Sequence, residues 1–180
     1  MGLPRLASHV RMIWQVEVMN EVTDGLLHPL LRSRWSPTTF DRSSVVSPAE
    51  VESLLEAAQW APSAGNSQPW AFIVARRGEP EHDRLLAHLA KSSAVWAPAA
   101  SLLVCNLSHR FVEETDWDYS EFSVYDLGQA VAHMSFQAQS LGLHVRQFRA
   151  FDRVALRPNS RCRRTGRSRR CRLSAASRQK

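Results

Sequence analysis

Residues 122–141 place the tightest limit on what this chain can become. Val124, Leu127, Val131, Met134 and Leu141 recur at helical spacing, and Tyr125, Ala132 and Phe136 carry apolar character onto a second face. Gly142 follows, where a left-handed residue commonly ends a helix. A helix that is apolar nearly all round has to be covered on both sides. In 180 residues, room for one compact domain, that predicts a long helix with a second side facing another subunit.

Other segments supply a core. Ser47-Pro48-Ala49-Glu50 reads as a helix start: Ser47 caps, Pro48 suits the first helical position, and Glu50 completes a capping box. Val51, Leu54, Leu55 and Ala58 then share a face, and Pro62 predicts the stop near Ala61. Residues 70–75, 99–106 and 143–148 read as three strands, the first two buried. Residues 80–91 read as a helix with Leu85, Leu86 and Leu89 inward, and 25–34 as a short helix through Leu26, Leu27, Leu30 and Leu31. Residues 10–18 show a weaker helical pattern, and Met19 stands just before the convincing part as a candidate natural start.

No 18-residue apolar run exists, and residues 95–105, the longest candidate, are too few to span a bilayer. Arg5 and Arg11 leave no clean apolar stretch for a signal peptide, and three cysteines give no disulfide framework. A reduced, cytoplasmic protein is expected. The net charge of +6 is misleading until it is divided. Residues 153–180 carry 11 basic and no acidic side chains, whereas residues 1–152 carry 12 basic and 17 acidic ones. The basic character therefore describes the tail. The tail lacks periodicity and has little aliphatic content, which predicts disorder. The expected organisation is an N-terminal extension over 1–24, a domain over 25–152 and an Arg-rich tail over 153–180.

There is no G-x-G-x-x-G, P-loop, H-E-x-x-H or G-x-S-x-G motif. Cys105 and His109 are four apart with no further ligand nearby, and read as a strand cysteine and a surface histidine rather than a metal site. Glu113, Glu114, Asp116, Asp118 and Glu121 read as a solvated acidic loop. Two segments stand out: Arg34-Trp35-Ser36-Pro37-Thr38-Thr39-Phe40-Asp41, and Ala61-Pro62-Ser63-Ala64-Gly65-Asn66-Ser67-Gln68-Pro69-Trp70. Both combine polar side chains with backbone-permissive residues and an apolar anchor, Phe40 or Trp70. An arginine two residues from a serine offers a phosphate a fork of charged donors and a hydroxyl. Two polar surface turns would have the same composition.

These segments resemble the FMN-dependent nitroreductase family. Arg34, Ser36 and Phe40 match its opening Arg-x-Ser-x-(Arg/Lys)-x-Phe element. Ala61, Pro62, Ser63, Asn66, Gln68, Pro69 and Trp70 match its Ala-Pro-Ser-x-x-Asn-x-Gln-Pro-Trp loop in order and spacing. Tyr125-Asp126-Leu127-Gly128-Gln129-Ala130, Ser140-Leu141-Gly142-Leu143 and Ala150-Phe151-Asp152 resemble its central helix, the exit from that helix and its Gly-Phe-Asp. The resemblance covers roughly residues 26–152. It implies a three-layer α+β fold with a mostly antiparallel sheet flanked by helices, and a homodimer holding FMN between its subunits. It implies Arg34 and Ser36 on the FMN phosphate, with Trp35 and Thr38 in the same element. It places Asn66 on the pyrimidine edge with Gln68 in its loop, Pro62 and Ser63 along the ring, and the backbone of Arg149 and Ala150 near the flavin N5 and O4 edge. The chemistry then belongs to the flavin. NADH or NADPH would donate, a nitroaromatic, quinone or similar acceptor would receive, and no side chain need act as a base. Trp117, Tyr119 and Phe122 would either cover the flavin or pack beneath their loop.

Three departures matter. Thr38 stands where the family has Arg or Lys, and Ala150 where it has glycine. Beyond Asp152 the family continues with a short helix, a final strand and an arm around the partner, whereas residues 157–172 show no apolar strand pattern. The 21 Arg against 2 Lys and the abrupt loss of periodicity have the look of out-of-frame translation. The final strand is therefore expected to be missing. An inactive, truncated relative is one alternative. A nucleic-acid or anion binder acting through the tail is another, although no aromatic residue interleaves with its arginines.

Overall fold

A computed structural model describes residues 26–109, 120–152 and 170–178. The weak helix over 10–18, Met19, and residues 110–119 with Trp117 and Tyr119 lie outside the described residues. Five helices, α1 (Pro29–Ser33), α2 (Pro48–Gln59), α3 (Pro80–Leu86), α4 (Lys91–Ala94) and α5 (Ser120–Ser140), flank four strands: β1 (Trp70–Arg76), β2 (Leu102–Ser108), β3 (His144–Phe148) and β4 (Arg170–Ser177). The sheet order is β1-β2-β4-β3, with every pairing antiparallel. This is the expected α+β arrangement. No described helix is long and apolar enough to cross a membrane.

The strand alternation divides the core into two layers. Leu103, Cys105 and Leu107 of β2 pack with Phe40, Ala75, Leu85, Ala100 and Phe151 on one face. Leu102 and Val104 point the other way, onto Leu54 and Ala58 of α2 and Ala130, Met134 and Ala138 of α5. Every residue of β2 is buried, Asn106 and Ser108 included, and the Asn106 Nδ2 donates to Ser174 Oγ at 2.8 Å. The capping box of α2 forms as expected: the Glu50 N–H donates to Ser47 Oγ at 3.2 Å, and the Ser47 N–H donates to Glu50 Oε2 at 2.7 Å. The Ser47 backbone N–H, then its hydroxyl and Arg178, hold the Glu50 carboxyl below its usual range despite some burial.

Two expected elements are altered by tertiary pairing. The helix predicted over 80–91 ends at Leu86, because Leu89 bridges Phe151 and the Ala90 N–H donates to Ala150 C=O at 2.9 Å. The second strand starts at Leu102 rather than Ala99, because Ala97–Ala99 is a single 3-10 turn around Pro98.

The larger correction concerns the tail. A missing final strand and a tail disordered throughout were expected, but Arg170–Ser177 forms β4 in the middle of the sheet. Leu102 lies opposite Ala176 on one side of β4, and Val145 lies opposite the same residue on the other. Ser174, Ala175, Ala176 and Ser177 are all buried. The sequence of β4, Arg-Cys-Arg-Leu-Ser-Ala-Ala-Ser, joins the end of an arginine-rich run to small Ser and Ala residues, so no sustained apolar pattern marks it as a strand. Its place comes from the backbone groups of β2 and β3, which need partners. The end of β4 is latched as well: Arg178 donates to Val45 C=O at 3.2 Å and to Glu50 Oε1 at 2.7 Å, and the Asp41 N–H donates to Arg178 C=O at 3.0 Å. The premise of the truncated-relative reading, an absent final strand, therefore does not hold. Residues 153–169 lie outside the described residues.

His82 of α3 is buried to 2% exposure, and its Nε2 has no hydrogen-bond partner among the described residues. Burial pushes its pKa down, partly opposed by Asp83 and by a backbone contact at Ala100. A depressed folded-state pKa means stability is fully present above the unfolded value of about 6.5 and is lost as pH falls below it. Urea unfolding at pH 8 and pH 5.5 is expected to show a drop in stability that His82→Gln reduces. An equal drop in both proteins would remove His82 as its source.

Candidate functional site

The 62–69 loop leaves α2 at Pro62 and enters β1 at Trp70. Between them the backbone is left-handed at Gly65 (φ 56°), Asn66 (φ 52°) and Gln68 (φ 46°). Such a run persists only where surrounding contacts over-determine it. The Gln68 N–H donates to Ser63 Oγ at 3.0 Å, and the Asn66 N–H to Ser63 C=O at 3.0 Å. From outside the loop, the His109 N–H donates to Pro69 C=O at 2.8 Å. On α5, Asp126 Oδ2 accepts the Ala64 N–H at 3.1 Å. Asn66 stands exposed on this frame, and Gln68 Nε2 donates to its Oδ1 at 3.4 Å. That contact orients the amide with Nδ2 left as a donor.

The 34–38 segment is held at alternate residues. Trp35 meets the His144 ring edge-to-face with centroids 5.8 Å apart. Pro37 is buried, and its C=O accepts from Arg146 at 3.0 Å. The Arg146 guanidinium itself lies 4.5 Å over the Trp96 ring. Arg34, Ser36 and Thr38, between these anchors, are exposed. Among the described residues, neither Arg34 nor Arg149 has a carboxylate partner. Arg146 places a cation beside Pro37, next to the Thr38 that lacks one.

The register shows which of these groups meet. Trp70 lies opposite Ser108, and Ser108 opposite Arg170, so the 62–69 loop sits at one end of the sheet. Phe148 lies opposite Leu173, which brings Arg149 and Ala150 toward that same end. His144 lies opposite Ser177 at the other end, where Trp35 packs. Helix α5 measures the separation. Asp126 holds the 62–69 loop, while Gln139 donates to Ser33 Oγ at 3.2 Å, beside Arg34. Thirteen residues of helix rise about 20 Å. The predicted cofactor residues thus form two groups within one chain: Pro62, Ser63, Asn66, Gln68, Arg149 and Ala150 at one end, and Arg34, Trp35, Ser36 and Thr38 at the other. Asp126, Gln129 and Arg146 received no role from sequence, although a lone acid in an otherwise apolar stretch of helix was a visible signal for the first.

These loops carry amide, hydroxyl and guanidinium groups at the two ends of an antiparallel sheet, the donor types that a polar, anionic ligand requires. The Nitroreductase family profile matches residues 31–158, and the chain belongs to that family. A solved oxidoreductase containing FMN is similar at 27% identity with a TM-score of 0.77, over 86% of this chain and 77% of that one. A provisionally named nitroreductase of Desulfovibrio desulfuricans, solved with FMN, is 27% identical with a TM-score of 0.68, over 83% of this chain and 86% of that one. A provisionally named NADH dehydrogenase/NAD(P)H nitroreductase of Archaeoglobus fulgidus is 56% identical over 34 residues, 19% of this chain. That match spans only 20% of the relative's length.

Proposed function

We propose that this protein is a homodimeric FMN oxidoreductase that takes electrons from NADH or NADPH and reduces nitroaromatics, quinones or similar acceptors. One observation carries the reading: within one chain the 62–69 loop and Ser33, beside Arg34, are held by α5 residues thirteen positions, about 20 Å of helix, apart. A second copy placed against α5 can bring the 34–38 segment of one subunit to the 62–69 loop of the other. The face of α5 fits that role, since Tyr125 is 67% and Phe122 52% exposed.

The residues present suit FMN. Arg34 supplies the guanidinium fork and Ser36 a hydroxyl for the phosphate. Thr38 contributes a hydroxyl in place of a cation, and Trp35 pins the segment to β3. Asn66, aimed by Gln68, presents its amide to the pyrimidine edge. Pro62 and Ser63 would line the ring, and the Arg149–Ala150 backbone would face its N5 and O4 edge. When bound, FMN supplies hydride acceptance at N5 from the nicotinamide and delivery to a second substrate in a ping-pong cycle. The chain's own part is to hold, orient and shield.

Protein purified and desalted is expected to retain the visible flavin absorption bands. Anaerobic NADH or NADPH should bleach them, and a nitroaromatic or quinone should restore them. A colourless protein that also takes up no added FMN would overturn the reading.

A further inference from the structure

Asp126 lies on α5 with 2% of its surface exposed, and no step of the proposed chemistry uses it. A carboxylate so placed is costly unless hydrogen bonds compensate it. Its partners are specific. Oδ2 accepts the N–H of Ala64, 62 positions earlier, at 3.1 Å. Oδ1 accepts Gln129 Nε2 at 3.4 Å, and that same nitrogen reaches Pro62 C=O at 3.4 Å. One turn of α5 thus grips residues 62–64 immediately before the left-handed run at Gly65, Asn66 and Gln68. Asn tolerates that conformation, but Gln rarely adopts it. Ala64 opens the 3-10 turn that aims Asn66, so the Asp126 contact sets the starting point of the strained segment.

We propose that Asp126 is a positioning residue for the cofactor loop. By accepting the Ala64 N–H it fixes the path of residues 63–68, so that Asn66 presents its amide to the pyrimidine edge of FMN. This rests on the FMN reading above. The contribution is geometric: it needs an acceptor oxygen at Oδ2, not the negative charge.

Three variants separate these possibilities. Asp126→Asn keeps an acceptor and removes the charge. Asp126→Ala removes both. Ala64→Pro deletes the donor from the loop side and leaves α5 untouched. Proline suits the first position of the turn, and Ser63, at φ −147° and ψ 154°, already has the extended geometry that a following proline requires. The measurements are amide hydrogen exchange across 63–68 in flavin-free protein, FMN affinity by fluorescence titration, and visible circular dichroism of bound FMN.

Asp126→Ala and Ala64→Pro are each expected to speed loop exchange and weaken FMN binding about tenfold or more, with a changed flavin dichroic band. Combining them should add little, because both break one contact. Asp126→Asn keeps the acceptor for Ala64 but turns its NH2 toward Gln129 Nε2, so it should fall between wild type and Asp126→Ala, nearer wild type in loop exchange. The inference fails if Asp126→Ala binds FMN with wild-type affinity and dichroism. It also fails if Asn is as damaging as Ala in loop exchange, since the retained acceptor for Ala64 would then count for nothing. If Asp126→Ala does not fold, Ala64→Pro decides alone: wild-type exchange and FMN binding in that variant would overturn the proposal. Wild-type protein that binds no FMN would instead overturn the flavin reading and remove this role with it. Loop exchange in flavin-free Asp126→Ala would still report whether the clamp exists.

Discussion

A chain ending at residue 169 is expected not to fold. The loss removes the strand that joins β2 to β3, leaving β3 with no partner in the described sheet. Both core layers lose buried residues: Ala175 from one and Ala176 from the other. The exposed backbone edges of β2 and β3 would be open to pairing between molecules. The latch from Arg178 to Val45 and Glu50 goes as well. A domain is stable by only about 5–15 kcal/mol, so losing an inner strand together with its core residues is expected to leave no stable fold. The truncated protein should be insoluble or lack a cooperative unfolding transition, as read by far-UV circular dichroism and urea titration. A gentler version is Ala175→Asp, at a position with no exposed surface. Burying an unpaired carboxylate there is expected to cost about 4 kcal/mol or more. A soluble 1–169 protein with a sharp transition would show that β4 is dispensable.

The second large effect tests assembly of the site across subunits. Arg34→Ala and Asn66→Ala are each expected to weaken FMN binding about tenfold or more, since each removes a donor from the cofactor. If one site takes Arg34 from one subunit and Asn66 from the other, a mixed dimer of the two variants contains one intact site and one doubly damaged site. Random re-pairing in a symmetric dimer then restores tight binding to about a quarter of all sites. Refolding the variants together and titrating FMN measures this directly. If the mixture binds no better than either variant alone, both groups serve a single chain, contrary to the separation along α5.

Local chemistry made much of this legible. The capping box at Ser47 and Glu50 forms where its spacing requires, because its bonds lie within one helical turn. The long helix, its stop at Gly142 (φ 70°) and the first three strands follow from periodicity and turn residues in the same way. The two cofactor segments were legible as motifs because their residue types and order carry the resemblance. Helix 80–91 was overcalled for the opposite reason. The pairing of Leu89 and Ala90 with residues 150–151 involves partners about sixty positions away, which no local window senses.

What the sequence determined by itself is therefore most of the local elements and the family, both encoded in short spacings. What only the tertiary structure decided is where non-local partners meet. It placed a strand that ends in Ser-Ala-Ala-Ser at the centre of the sheet, where its backbone pairs with both β2 and β3. It also set the two donor groups at opposite ends of α5 and put a buried carboxylate behind one of them. Those relations depend on the packing of elements distant in sequence, and the energies that hold them exist only once the chain has closed on itself.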